Sequence, residues 1–478
     1  MMFIKAKTLW VIVAFVLPFA ARANSGGAAN RLESLPSWKP DVTIRKAAEE
    51  INAQELELYV RGLIAAGTRH SASEDFDKDT GSGRGIGVAR RFLVQQFRDI
   101  SKATGGRLEV REDWVELVSE RRFPDGKAKG ANVIARLPGT LEPNRVVVIS
   151  GHYDSINKRF DKSRGGIDIE GDAPGADDDA SGTAVVVACA RVLSKLQFPA
   201  TIEFACYTAE EQGLLGSAAH AKQLKAAEAE VIGMFTNDIV GASKGPDGIV
   251  RDDFVRVFSP SPAGLDSPSR NLARYAYDVA SMYFGPSQYN KNLAKPFSVK
   301  LIFRKDRYRR GGDHTSFETE GFPGIRFTEP MEDYLHQHEN VREENGKIYG
   351  DKIEFLDFQY LARVARVNAV LAAELASAPP PPALVNVDGA VRNDTNISWN
   401  DTVGVKAKRR IGFEAVVRET TAPLWENAIE VSRGKSTIPV VLDNFIVGLR
   451  SVGADGRRSV AVVPAEAPES RRTASGPR

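Results

Sequence analysis

Residues 146–211, VVVISGHYDSINKRFDKSRGGIDIEGDAPGADDDASGTAVVVACARVLSKLQFPATIEFACYTAEE, decide how the chain is read. Two apolar runs, Val146–Ser150 and Thr201–Thr208, have the length and composition of buried parallel strands. Each is followed by side chains that bind metals or move protons: His152 and Asp154 after the first, Glu210 and Glu211 after the second. Between them Asp177, Asp178 and Asp179 open an apolar, helix-like segment, Ala184–Leu196. Open α/β sheets bind ligands just beyond the carboxyl ends of their strands, and this stretch has that layout.

The same alternation extends outward. Helical spacing marks Ile44–Ala66, Gly85–Ile100, Ser217–Lys225, Ser267–Phe284 and Phe355–Leu375. Strand-like runs lie at Arg107–Val118, Asn132–Leu137, Glu230–Asn237, Asp253–Ser259 and Gly324–Thr328. Together they predict an α/β domain, a mostly parallel sheet sandwiched by helices, over residues 24–378. Pro379–Pro382 break the pattern, so 379–383 reads as a semi-rigid linker. Beyond it helix signals vanish, and evenly spaced short strands predict a small C-terminal β-sandwich over 384–465, with a disordered tail at 466–478.

The 478 residues suffice for two or three domains. Lys plus Arg number 64 against 62 Asp plus Glu, a balance that gives no general reason for a nucleic acid or an anionic membrane as partner. Lys5 and Lys7, the apolar run Leu9–Ala20 and Ala21-Arg22-Ala23 describe a signal peptide, residues 1–23, cleaved after Ala23. The run is too short to span a membrane comfortably, so the chain is expected to be exported: secreted, periplasmic or on the cell surface. Cys189 and Cys206, flanked by apolar residues, read as two buried thiols, because a strand and its covering helix lie too far apart for a disulfide.

Three adjacent carboxylates repel and raise one another's pKa unless a cation intervenes. A helix cap needs one of them; a dication accounts for the rest. In Glu210-Glu211 one acid can bind metal while the other handles a proton. Asp238 is a further acid just past an apolar run. His152 and Asp154 share one side of a strand end, which makes Asp154 a candidate orienting partner for the imidazole. The segment Glu332–His338 offers two competing histidines, His336 and His338. His70 and His220 have no ligand context. Arg307, Arg309 and Arg310 lie in a basic run before Gly311 and are candidates to grip a substrate carboxylate, unless Asp306 and Asp313 neutralise them internally.

H-x-D at His152, GADDDASG, EEQGLLGS, NDIVG at Asn237–Gly241 and GGDHTSF at Gly311–Phe317 resemble the M28 family of co-catalytic zinc aminopeptidases over Gly130–Leu375. The resemblance implies an enzyme acting on peptide substrates at their N-terminal bond, with two Zn²⁺ per chain. It assigns His152 and Asp238 to one zinc, Glu211 and the late histidine to the other, and Asp178 as bridge. It also implies a cis peptide at Asp178–Asp179, Glu210 as general base with Asp154 as the catalytic partner that orients His152, and a pocket-shaping role for His314. The QHENVR context favours His338 over His336. Related sites belong to glutaminyl cyclases and carboxypeptidases, and an inactive scaffold carrying a binding β-sandwich is a further alternative. Residues 384–465, with Trp399, Phe413–Arg418, Trp425 and Asp455-Gly456, resemble a fibronectin type III domain.

Overall fold

The computed structural model describes residues 35–73, 83–123, 125–159, 168–261, 266–290, 295–400 and 409–464. The expected signal peptide and C-terminal tail lie outside them. At the centre are β3 (Glu142–His152), β4 (Ala200–Tyr207), β5 (Glu230–Asn237) and β8 (Gly324–Thr328), all mutually parallel. β1 (Glu109–Val118) and β2 (Lys127–Leu137) extend one edge antiparallel. β6 (Phe254–Phe258) runs antiparallel to β8 and parallel to the edge strand β7 (Ser298–Ile302). The order is β1-β2-β4-β3-β5-β8-β6-β7, a mixed sheet with a parallel centre.

The apolar run of β3 serves two cores at once, as the period of two demands. Val147 and Ile149 face one, while Val146 and Val148 face the other. The larger core is covered by α1 (Val42–Glu49), α2 (Ala53–Ile64), α3 (Ile86–Ala103), α4 (Gly182–Leu193), α6 (Pro268–Phe284) and α8 (Phe358–Ser377). α5 (Leu215–Ala226) and α7 (His314–Thr319) cover the smaller one with Ala221, Leu224 and Phe317. α4 is buried at every position but Arg191, which is why its sequence is apolar without an amphipathic stripe. Cys189 and Cys206 are free, buried thiols. Among the described residues no helix is long and apolar enough to cross a membrane.

After β8 the chain forms a small hairpin, β9 (Arg342–Glu344) and β10 (Lys347–Tyr349), before α8. Past α8 come two three-stranded antiparallel sheets. One joins β11 (Ala383–Asp388), β12 (Thr395–Asn400) and β15 (Lys435–Ile438). The other joins β13 (Arg410–Glu419), β14 (Asn427–Val431) and β16 (Phe445–Gly453). Ile397, Trp399, Phe413 and Leu449 fill the core between them.

The four-proline run is not a free spacer. Pro379, Pro380 and Pro382 are buried, and charged contacts join the C-terminal sheets to the α/β part. Arg457 reaches Asp41 Oδ2 at 2.6 Å and Glu374 Oε2 at 3.2 Å. Arg409 meets Glu142 at 3.0 Å and Arg418 meets Asp266 at 3.2 Å. Glu374 lies fully buried on α8 and also accepts from Tyr283 Oη and Trp38 Nε1. A buried carboxylate that loses its cation is costly. Arg457→Ala is therefore expected to lower unfolding stability by about 2 kcal/mol, as measured by urea denaturation; an unchanged midpoint would show that the contact contributes nothing.

Candidate metal centre

Four parallel strands end at one place, and each hands over a donor. β3 closes on His152, the turn after β4 carries Glu210 and Glu211, β5 leads into Asp238, and the loop after β8 carries His338. The kinked segment Ala176–Ser181, which feeds α4, adds Asp178. The backbone is left-handed next to these donors, at Ala209 (φ 55°), Ile239 (φ 58°) and His338 itself (φ 57°). Such conformations are sparsely populated for residues with a side chain and cluster at functional sites. The Asp178–Asp179 peptide is cis.

Asp178 stands between two donor sets. Its Oδ1 lies 3.0 Å from His152 Nε2, and Asp238 Oδ2 lies 3.9 Å from the same nitrogen. Its Oδ2 lies 2.9 Å from His338 Nε2, which sits 2.6 Å from Glu211 Oε1. His152, Asp178 and Asp238 form one metal-sized cluster; Asp178, Glu211 and His338 form a second. Glu210 joins His152 and Glu211 in a third grouping at the same centre.

The donors fit a metal. His152 Nε2, His338 Nε2 and Glu211 Oε1 are buried and have no hydrogen-bond partner of acceptable geometry. Orphaned buried polar atoms are costly, and a dication among imidazole and carboxylate donors satisfies them together; nitrogen and oxygen donors of this kind suit zinc. The electrostatics agree. Burial opposes the charge on His152, yet Asp154 and Asp178 hold its pKa well above the usual histidine range. Burial likewise opposes charge on His338, and Glu211 and Asp178 outweigh it. Burial, reinforced by Asp238 and Glu211, pushes Glu210 well above the ordinary carboxylate range.

The acidic triplet divides its work. Asp177 Oδ1 accepts the Gly241 N–H at 2.7 Å. Asp179 accepts the backbone N–H groups of His152 and Gly182, each at 2.9 Å. Only Asp178 faces both donor sets. Asp154 lies with Oδ1 3.5 Å and its carbonyl oxygen 3.2 Å from His152 Nδ1. Its carboxylate also accepts the N–H groups of Glu210 at 3.1 Å and Glu211 at 3.2 Å, so one side chain sets both the imidazole and the Glu-Glu turn. His336 is elsewhere, stacked on Phe355 with ring centroids 3.6 Å apart. His70 and His220 are buried, and His220 bridges Tyr207 Oη and Glu203.

The arginine expectation is corrected at Arg307 and Arg310. Arg307 is buried and bound to Asp306 at 3.0 Å and Glu332 at 3.0 Å. Arg310 donates to Glu332 at 2.9 Å and to Gln337 Oε1 at 3.2 Å. Asp306 neutralises Arg307, Glu332 is shared by Arg307 and Arg310, and Arg309 is exposed. His314 is also removed from substrate: it is fully buried, and its Nε2–H donates to the Lys305 carbonyl at 2.8 Å.

Four positioning groups escaped the sequence. Asp351 accepts the N–H groups of Asp177 at 2.8 Å and Asp178 at 2.7 Å. Arg326, fully buried, holds Asp238 Oδ1 at 2.7 Å. Gln337 donates to Asp178 Oδ2 at 2.9 Å. Arg69, also fully buried, donates to the carbonyls of Tyr153, Pro174 and Gly175. Only Gln337 had a local signal, its place beside His338.

Sheet and donor set together define a metallopeptidase-type centre. Residues 132–347 match the model of peptidase family M28. A protein of Leptosphaeria maculans named "Probable zinc metalloprotease" is 39% identical over 89% of this chain and 97% of its own. One of the same name from Pyricularia oryzae is 39% identical over 90% and 86%. The crystal structure of the Legionella pneumophila LapA aminopeptidase shares the fold, with a TM-score of 0.50 and 19% identity over 75% of this chain and 80% of that one. The chain belongs to peptidase family M28.

Asp351→Ala leaves two buried backbone N–H groups without an acceptor beneath Asp178. It is expected to weaken metal binding by about 10–100-fold in chelator competition, with Asp351→Asn intermediate. Because His152 and His338 are held protonated when no metal is present, metal binding displaces protons and weakens as pH falls. Calorimetric titration in buffers of different ionisation enthalpy should show net proton release near neutral pH; no release would contradict the raised imidazole pKa values.

Proposed function

We propose that the chain is an exported, zinc-dependent aminopeptidase that holds two zinc ions and cleaves the N-terminal peptide bond. The observation that carries this is Asp178, whose two carboxylate oxygens meet two separate histidine-containing donor sets. His152 and Asp238 are assigned to one ion, Glu211 and His338 to the other. When bound, zinc supplies Lewis-acid activation of water and of the scissile carbonyl.

The chain's own groups do the rest. Glu210 is the general base: its carboxylate takes the proton of the attacking water and returns it to the departing amine. Asp154 fixes this geometry from behind, through the Glu210 N–H. A cavity of about 430 Å³ adjoins the centre, lined by Asp178, Ile239, Asp333, Gln337 and Phe355 among others. Its acidic rim suits a free α-ammonium and supports action at the N-terminus. Export rests on the basic, apolar and A-x-A sequence before residue 24.

The test is a panel of amino-acid amides and N-blocked counterparts, assayed with and without chelator, beside elemental analysis. Two zinc ions per chain, chelator-sensitive cleavage and inactivity on blocked substrates are expected. Equal cleavage of blocked peptides would overturn the aminopeptidase assignment, and one zinc per chain would overturn the two-metal one. Glu210→Gln should keep its zinc and lose about 10²–10⁴-fold in kcat; loss of zinc instead would make Glu210 a ligand.

A further inference from the structure

A second cavity, of about 310 Å³, reaches the same centre through Glu211 and has the opposite charge. Arg121, Arg122, Lys158 and Arg159 line it, with Gln212 in its wall. Two of the cations have carboxylates already: Lys158 meets Glu339 at 3.0 Å and Arg159 lies 3.7 Å from Asp168. Arg121 and Arg122 are exposed and have no carboxylate partner among the described residues. They sit on the turn between β1 and β2, which is fixed by the Ser119 N–H to the Gly126 carbonyl at 2.9 Å. His70, pushed down to about 4, chiefly by burial, is neutral there.

Gln212 makes this a built site. It is 3% exposed, yet neither Nε2 nor Oε1 has a hydrogen-bond partner. A buried amide left unsatisfied is costly, and a ligand that accepts from its N–H relieves that cost. An anion is the ligand that suits an unpaired guanidinium pair and an amide donor together. Glu211, the residue before Gln212, is a proposed zinc ligand, so the anion belongs to something reaching the reacting centre. In an extended peptide each residue spans at most about 3.6 Å, so a cavity this small and this near takes a group only a residue or two beyond the cleaved bond.

Resting on the aminopeptidase assignment above, we infer that Arg121, Arg122 and Gln212 form a subsite for a carboxylate on the leaving side of the substrate, the C-terminal carboxylate of a di- or tripeptide. The acidic cavity beside Asp178 then receives the ammonium end and this basic one the carboxylate end. A short zwitterionic peptide is oriented by both poles.

The experiment measures binding rather than turnover. Zinc-loaded protein is titrated with a non-hydrolysable dipeptide isostere as free acid, as C-terminal amide, and as an amide carrying an Asp side chain after the isosteric bond. Wild type should bind the acid at least about tenfold tighter than the amide, the scale of a charge-assisted hydrogen bond. Arg121→Ala/Arg122→Ala should remove that ratio, and Arg122→Lys should keep part of it. In the unaltered protein the ratio should shrink as salt rises. Tighter binding of the Asp-bearing amide than of the free acid would assign the subsite to an acidic side chain instead of the terminus. Equal affinities for all three in wild type, or a preference that survives in the double variant, overturns the subsite. If unblocked amides are not hydrolysed while the acid preference stands, the aminopeptidase assignment falls and the subsite remains.

Discussion

The structure depends on one buried carboxylate that must face two ways. Asp178 is held by Gln337 at one oxygen and approached by a histidine from either side. Its backbone N–H is caught by Asp351 on the loop before α8. A side chain so placed cannot be moved without disturbing both donor sets. It is sited by three separate segments, the α4 entrance, the post-β8 loop and the Asp351 loop. The sheet supplies the floor and the loops supply the constraint.

Around that point like charges are separated by assigning each acid a different partner. Asp177 and Asp179 turn to backbone N–H groups, Asp238 turns partly to Arg326, and Glu332 is enclosed by Arg256, Arg307 and Arg310. Arg326 and Arg307 both lean on Asp306. Within the run 304–310, Asp306 and Arg307 are the buried charges and brace the centre from beneath, while Arg304, Lys305 and Arg309 face outward.

Much of this was legible because it is local. Donors that stand at or within a few residues of the end of an apolar strand announce themselves, and His152, Glu210, Glu211 and Asp238 are of that kind. The parallel centre was legible for the same reason, since helices separate its strands. The reversal of β6 was not read: no helix lies between Asn237 and Phe254, so no crossover ties β6 to the direction of β5. Asp351 and Arg326 were invisible because their partners lie far away in sequence; a lone Asp between Gly350 and Lys352 has no pattern. Arg307 was misread because a sequence shows charge and does not show burial. The contacts of Arg409, Arg418 and Arg457 with the α/β part were hidden for the same reason.

The Arg457 contact bears on the order in which the molecule is completed. Asp41 stands at the start of α1 and Arg457 beyond the last strand, yet they meet at 2.6 Å over the buried Glu374. The N-terminal helix and the buried Glu374 of α8 are therefore tied together by a side chain from beyond the C-terminal sheets. Closure over so long a separation is slow compared with local pairing. The seam between the first helix and the core is thus held by a contact between residues 416 positions apart, the most non-local kind of pairing a chain can make.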